Sequence, residues 1–166
     1  MLTIVTGSQN SGKTTALLKH FKQHGHGDGF VAIKHFFGAQ ITGFSAQRLS
    51  NGETQRLAVH DTVGEVDFDI GCRMGPYAFS RSTLRWIDEV VALLVAKRVQ
   101  PIYLDEIGKL ELNGEGLDKA LRIVLSSGLD AVISVRTDLL STVVKHYNLK
   151  DYLHESVDIE RGLKHV

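Results

Sequence analysis

Cysteine is almost absent from this chain: Cys72 is the one example in 166 residues. That excludes an intrachain disulfide and suits a reducing interior, so the expected location is cytoplasmic. An excess of charge of either sign is also missing, since 19 Lys and Arg balance 19 Asp and Glu. No overall positive field would therefore draw the chain to nucleic acid or to an anionic membrane, and such a partner would need a local patch. No apolar run is long enough to span a bilayer. The first apolar stretch, Leu2 to Thr6, stops after a few residues in a glycine loop, which is not the pattern of a signal peptide. Repeats, low-complexity tracts and linkers are lacking too, and a single domain over 1–166 is expected. This length can bury roughly 70% of the surface an unfolded chain exposes, so folding needs no metal or disulfide.

What is present is an alternation of apolar strands with amphipathic stretches. Leu2 to Thr6, Phe30 to Lys34, Ile102 to Leu104 and Asp130 to Val135 read as strands buried on both faces, which predicts an α/β fold around a mainly parallel sheet. A first helix is predicted from about Gly12 to His24, burying Leu17, Leu18 and Phe21, and the glycines of GHGDG stop it. A second starts after Ser80 or Ser82 as cap and carries Leu84, Ile87, Val91 and Leu94 at helical spacing. A third follows Gly116, and a fourth covers about Asp138 to Tyr147. Three helices so separate parallel strands. Between Phe44 and Val59 two polar-rich extended segments flank Asn51-Gly52, a favoured hairpin turn, and a protruding antiparallel hairpin is expected. Residues His60 to Pro76 show no clear period and read as a loop forming one wall of a site.

The chemistry begins at GSQNSGKTT, residues 7–15, a complete GxxxxGK[ST] loop placed after a strand and opening a helix. Polyphosphate carries several negative charges close together, and glycine lets backbone amides crowd around it. The expected nucleotide-binding set is Gly7, Ser8, Gln9, Asn10, Ser11, Gly12, Lys13, Thr14 and Thr15. In this reading the amides from Asn10 to Thr14 surround the β-phosphate at the positive end of the helix, Lys13 reaches the β- and γ-phosphates, and the Thr14 hydroxyl binds Mg²⁺. Downstream, PIYLDEIGKLEL runs an apolar strand into Asp105 and Glu106. That end of the strand belongs to the sheet's carboxyl edge, where the phosphate loop must also lie. Metal binding and water activation need separate carboxylates, so Asp105 is assigned to Mg²⁺ and Glu106 to the attacking water. A glutamate beside the metal aspartate also suggests, by analogy, a RecA-like arrangement in which another strand separates the two motif strands.

Together GSQNSGKTT and DEIGKLEL resemble the small nucleoside-triphosphatase family first described from hyperthermophiles, also known as the cancer-related nucleoside triphosphatases. The resemblance implies a three-layer, RecA-like domain that hydrolyses ATP, GTP and other nucleoside triphosphates slowly, with Mg²⁺ and broad base tolerance. Gly43-Phe44 and GPYAF at residues 75–79 are weaker matches, and Lys109 matches the lysine of the family's DEIGK string. Two departures stand out: Pro76 occupies the place of a family lysine, and AIKHFFGAQ at residues 32–40 replaces a Glu-Val-Arg segment and a following arginine.

An arginine often neutralises leaving-group charge in such reactions. Arg136, Arg73 and Arg48 are candidates, and Arg136, following the strand that ends at Val135, is preferred. His20, His24 and His26 are adequately explained by the helix dipole, and no residue set announces base selectivity. Two other readings remain open. GFVAIKH at residues 29–35 is similar to the second strand of accessory GTP-binding adapters of molybdopterin-guanine dinucleotide synthesis. In a small-molecule kinase, Glu106 would instead activate a substrate hydroxyl.

Overall fold

A computed structural model describes residues 1–158, so the last eight residues of the expected 1–166 domain lie outside the description. The described chain builds one nine-stranded sheet. In chain order its elements are β1 (Leu2–Gly7), α1 (Lys13–His24), β2 (Asp28–Phe37), β3 (Gln40–Arg48), β4 (Thr54–His60), β5 (Ile70–Met74), β6 (Tyr77–Ser80), α2 (Arg81–Ala96), β7 (Ile102–Ile107), α3 (Lys109–Leu112), α4 (Asp118–Ser127), β8 (Ala131–Arg136), a 3₁₀ turn, α5 (Leu140–His146) and β9 (Tyr152–Ser156). Across the sheet the order is β5-β6-β4-β3-β2-β7-β8-β1-β9. From β2 to β9 neighbouring strands run parallel, and from β2 to β5 they run antiparallel.

The parallel half follows from consecutive apolar residues, which a strand points to opposite faces. Ile4, Phe30, Ile102 and Ile133 pack under α2, α4 and α5 through Ile87, Val91, Leu121, Val124 and Val143. Their neighbours Val5, Val31, Tyr103 and Val132 pack on the other face against Leu17 of α1. Helices on both faces make three layers. β8 separates β1 from β7, the RecA-like order. No described helix is long and apolar enough to cross a membrane.

The segments flanking Asn51-Gly52 pair antiparallel as β3 and β4, but they do not protrude. Each is bonded to a further strand, β2 or β6, and so lies within the sheet. The expected loop from His60 to Pro76 also needs correction, because Ile70–Met74 forms edge strand β5. Only Cys72 of β5 is buried, so an edge position had left no apolar alternation to read.

After β7, the four-residue α3 carries the buried Glu111, whose carboxylate accepts N–H bonds from Gly108 at 2.7 Å and Leu117 at 2.9 Å. It thereby staples the β7 exit to the start of α4. Burial pushes its pKa up from 4.5 to about 7, against the pull of those two donors. Between these values the folded chain holds a proton that the unfolded chain has lost, so raising the pH favours unfolding. Stability should therefore fall by about 3 kcal/mol across this window and level off above it. Urea-unfolding midpoints against pH measure this, and Glu111→Gln should remove the slope. An equal slope in the variant would show that Glu111 is not its source.

Candidate active site

The phosphate-type loop occupies residues 8–12, between β1 and α1. Its path requires left-handed backbone at Asn10 (φ 59°) and Gly12 (φ 99°), which glycine adopts without penalty and asparagine tolerates. Gly7 is required for another reason: a Cβ there would collide with Ser11 Oγ and a Val157 methyl. The first turn of α1 has no side-chain cap, which leaves its amide donors for the loop. Ser11 Oγ is buried and has no hydrogen-bond partner among the described residues. Lys13, only 4% exposed, folds back so that Nζ donates to Ser8 O at 2.9 Å.

Asp105 and Glu106 face this loop from β7. In a regular strand they would point to opposite faces, but the register of β7 against β8 shifts between Leu104 and Ile107, and Glu106 sits at φ 61°. Both side chains consequently line one crevice with Lys13 and Asn10. A non-glycine residue held there costs about 1–3 kcal/mol, which the surrounding contacts must offset. Ser134 of β8 supplies two of them: its hydroxyl donates to Asp105 Oδ1 and accepts from the Glu106 N–H at 2.7 Å. Asp105 is 3% exposed, and its Oδ2 accepts from Thr14 Oγ1 at 2.6 Å and from the Ala32 N–H at 3.0 Å.

The Glu106 carboxyl meets solvent on one side while the crevice walls enclose it on the others. Its pKa is raised, first because the enclosing protein removes solvation and next because the Asp105 charge is close, with Lys13, Lys34 and Arg136 opposing. Lys34, on β2, donates to Asn10 Oδ1 at 2.7 Å and so ties that strand to the loop.

Arg136 ends β8 in register with Gly7 and also lines the crevice. Its Nε and Nη2 are engaged by Asp138 at 2.6 and 2.8 Å. The other two arginine candidates are placed elsewhere. Arg48 pairs with buried Asp28 at the opposite, amino-terminal edge of the parallel strands, and Arg73 pairs with Asp61. Lys109 lines the crevice as an exposed side chain. His20 bonds the Tyr103 hydroxyl and His26 the Gln100 carbonyl, with the His24 ring stacked on His20 and edge-on to His26.

Sequence reasoning did not reach four contributors: Ser134, the Ala32 amide, Lys34 and Asp158. Asp158 accepts from the Ser8 N–H at 2.9 Å and from the Thr137 hydroxyl at 3.1 Å, and the Ser8 amide holds its pKa below the usual range. Only Lys34 carried a signal, as a lone cation in the strand beside the metal-type aspartate. The oxygen donors Thr14 and Asp105 suit Mg²⁺, which takes one or two protein oxygens and fills the rest of its octahedron from phosphate and water. Among the described residues no group of three or more His, Cys, Asp and Glu side chains offers a cage for a different ion.

A glycine loop at the carboxyl edge of a three-layer parallel sheet, with an acidic pair one strand removed, defines a phosphate-loop nucleotide hydrolase. More particularly, a family model described as NTPase matches residues 3–161, and the chain belongs to that family. Its fold is similar to the crystal structure of THEP1 from the hyperthermophile Aquifex aeolicus, at 21% identity over 95% of this chain and 90% of that one, with a TM-score of 0.68. It is also similar to the solution structure of a human cancer-related nucleoside triphosphatase, at 25% identity over 93% of this chain and 87% of that one, with a TM-score of 0.64. No curated protein matches. The resemblance read from GSQNSGKTT and DEIGKLEL is thus the correct one.

Proposed function

We propose that this NTP-hydrolysing enzyme is Mg²⁺-dependent, accepts ATP, GTP and other nucleoside triphosphates with broad base tolerance, and turns over slowly. The observation that carries the reading is the Thr14 to Asp105 contact, with Glu106 next in the chain and Asp105, Glu106 and Lys13 lining one crevice. The amides of Asn10 to Thr14 grip the β-phosphate, Ser11 Oγ adds a donor, and Lys13 leaves the Ser8 carbonyl to span the β- and γ-phosphates. Thr14 and Asp105 are the residues that would hold the metal. When bound, Mg²⁺ neutralises charge on the β- and γ-oxygens. Glu106 orients a water and accepts its proton, and Ser134 fixes the backbone from which Glu106 reaches.

Arg136, which lines the crevice, would offset γ-phosphate charge, yet Asp138 already occupies two of its donors. An unassisted reaction of this type is slower by about 10³- to 10⁵-fold than one with a free arginine, which supports low turnover. Broad base tolerance accords with recognition through the phosphate loop, whose donors meet phosphate and not the base. The named relatives are nucleoside triphosphatases, which favours hydrolysis over the adapter reading.

The test is a steady-state panel of ATP, GTP, CTP, UTP and their deoxy forms with and without Mg²⁺. Phosphate release should occur with each base at comparable kcat/KM and disappear with EDTA. Release that persists in EDTA, or confined to one base, would contradict the proposal.

A further inference from the structure

The crevice at Glu106 does not end at the catalytic groups. It continues away from the phosphate loop into an apolar chamber between the antiparallel half of the sheet and α2–α4, and crevice and chamber together have a volume of about 210 Å³. Its walls are Phe44, Leu57, Phe79, Leu84, Leu110 and Leu117. Water attack needs no such room, because the mouth of the crevice already meets solvent, and apolar walls facing water leave unrealised the free energy of burying them. A cavity of about 150 Å³ with comparable walls holds benzene, so the joined space has room for a single ring beside the catalytic groups.

The polar groups at the junction restrict the ligand further. Lys34 is bonded to Asn10, Arg136 to Asp138, and the Glu111 carboxylate to two backbone amides, while Lys109 is exposed to solvent. Glu106 borders both the apolar chamber and the phosphate-loop cavity, and its carboxyl makes no hydrogen bond among the described residues. Glu106 is thus an uncommitted carboxylate acceptor located between a ligand in the chamber and the phosphoryl donor.

We propose that the chamber is an acceptor site for a small uncharged aromatic or aliphatic alcohol, and that the enzyme transfers the γ-phosphoryl group to that hydroxyl in competition with water. The bond from γ-phosphorus to the β–γ bridging oxygen breaks, its electrons leaving with the diphosphate, and an alcohol oxygen to phosphorus bond forms. The hydroxyl proton goes to Glu106 and then to solvent, so that alcohol plus triphosphate gives phosphate monoester, diphosphate and one proton. The inference rests on the triphosphatase reading of the same site.

The experiment incubates the full chain with Mg²⁺ and γ-labelled ATP plus benzyl alcohol, or glycerol as a polar counterpart, and separates labelled monoester from labelled inorganic phosphate. Benzyl alcohol should yield monoester in preference to glycerol by about 10- to 100-fold, the discrimination that a few apolar contacts supply. Toluene, which fits the chamber but has no hydroxyl, should suppress monoester by competition. Leu57→Trp, which fills the chamber, should lower the ratio of monoester to inorganic phosphate by about tenfold, and the toluene arm decides the matter should that variant not fold. Inorganic phosphate without monoester overturns the acceptor site while leaving the hydrolase intact, and so does monoester that neither toluene nor Leu57→Trp diminishes. Absence of both products overturns the triphosphatase reading itself.

Discussion

Glu106→Gln should lower steady-state phosphate release by about 10²- to 10⁴-fold while leaving nucleotide affinity nearly unchanged. Glutamine keeps the size and planar shape of the side chain and the left-handed backbone at this position, so the bulge and the Ser134 bond to the Glu106 amide should survive. What it loses is the ability to accept the proton of the attacking water. It also removes a negative charge beside Asp105, a change that can only favour an anionic ligand in the crevice. The effect should therefore fall on kcat, with Kd for a non-hydrolysable triphosphate analogue equal to or below the parent value. Phosphate release combined with calorimetric titration reads both quantities. A parent-like rate would remove Glu106 from the role of base, whereas loss of binding together with rate would give it a positioning role.

Local chemistry was legible in the sequence and long-range pairing was not. Residues 7–15 were legible as a phosphate-type loop because their glycines, lysine and threonine lie close together in the chain, and the meeting of the adjacent acids with that loop was legible because a strand had to deliver them to the same edge. The separation of β1 from β7 by β8 was legible too, through Glu106 beside Asp105. Ser134 was hidden because a serine inside the apolar strand AVISVR means nothing until β8 is paired with β7. Neighbouring residues 105 and 106 lining one crevice contradicts strand alternation, and only the bulge explains it.

Structure at the margins was hidden for a different reason. β2 runs on to Phe37 because β3 continues its hydrogen-bond ladder past the core, where side chains are exposed and apolar pattern is uninformative. β9 has the same character, with three of its five residues exposed, yet it adds a parallel edge strand beside β1 and so delivers Val157 and Asp158 to the phosphate loop. α3 is too short to display a helical period at all.

Lys13→Ala should reduce kcat/KM for every nucleoside triphosphate by about 10²- to 10³-fold, the usual loss when one donor aimed at developing transition-state charge is removed. The side chain is buried against its own loop and bonded to the Ser8 carbonyl, so it is already ordered at the place where the phosphates must lie. Removing it spares the amides from Asn10 to Thr14 and the Thr14 to Asp105 contact. Diphosphate affinity should consequently fall less than triphosphate turnover, since Lys13 is assigned to the β- and γ-oxygens together and a diphosphate lacks the γ-group. The loss should also be independent of the base, because Lys13 Nζ is held within the phosphate loop at the Ser8 carbonyl. Titration with ADP and GDP alongside phosphate release from ATP and GTP separates these effects. Equal rates for parent and variant would place hydrolysis outside this crevice, and a loss restricted to one base would move Lys13 from phosphate recognition to nucleoside recognition.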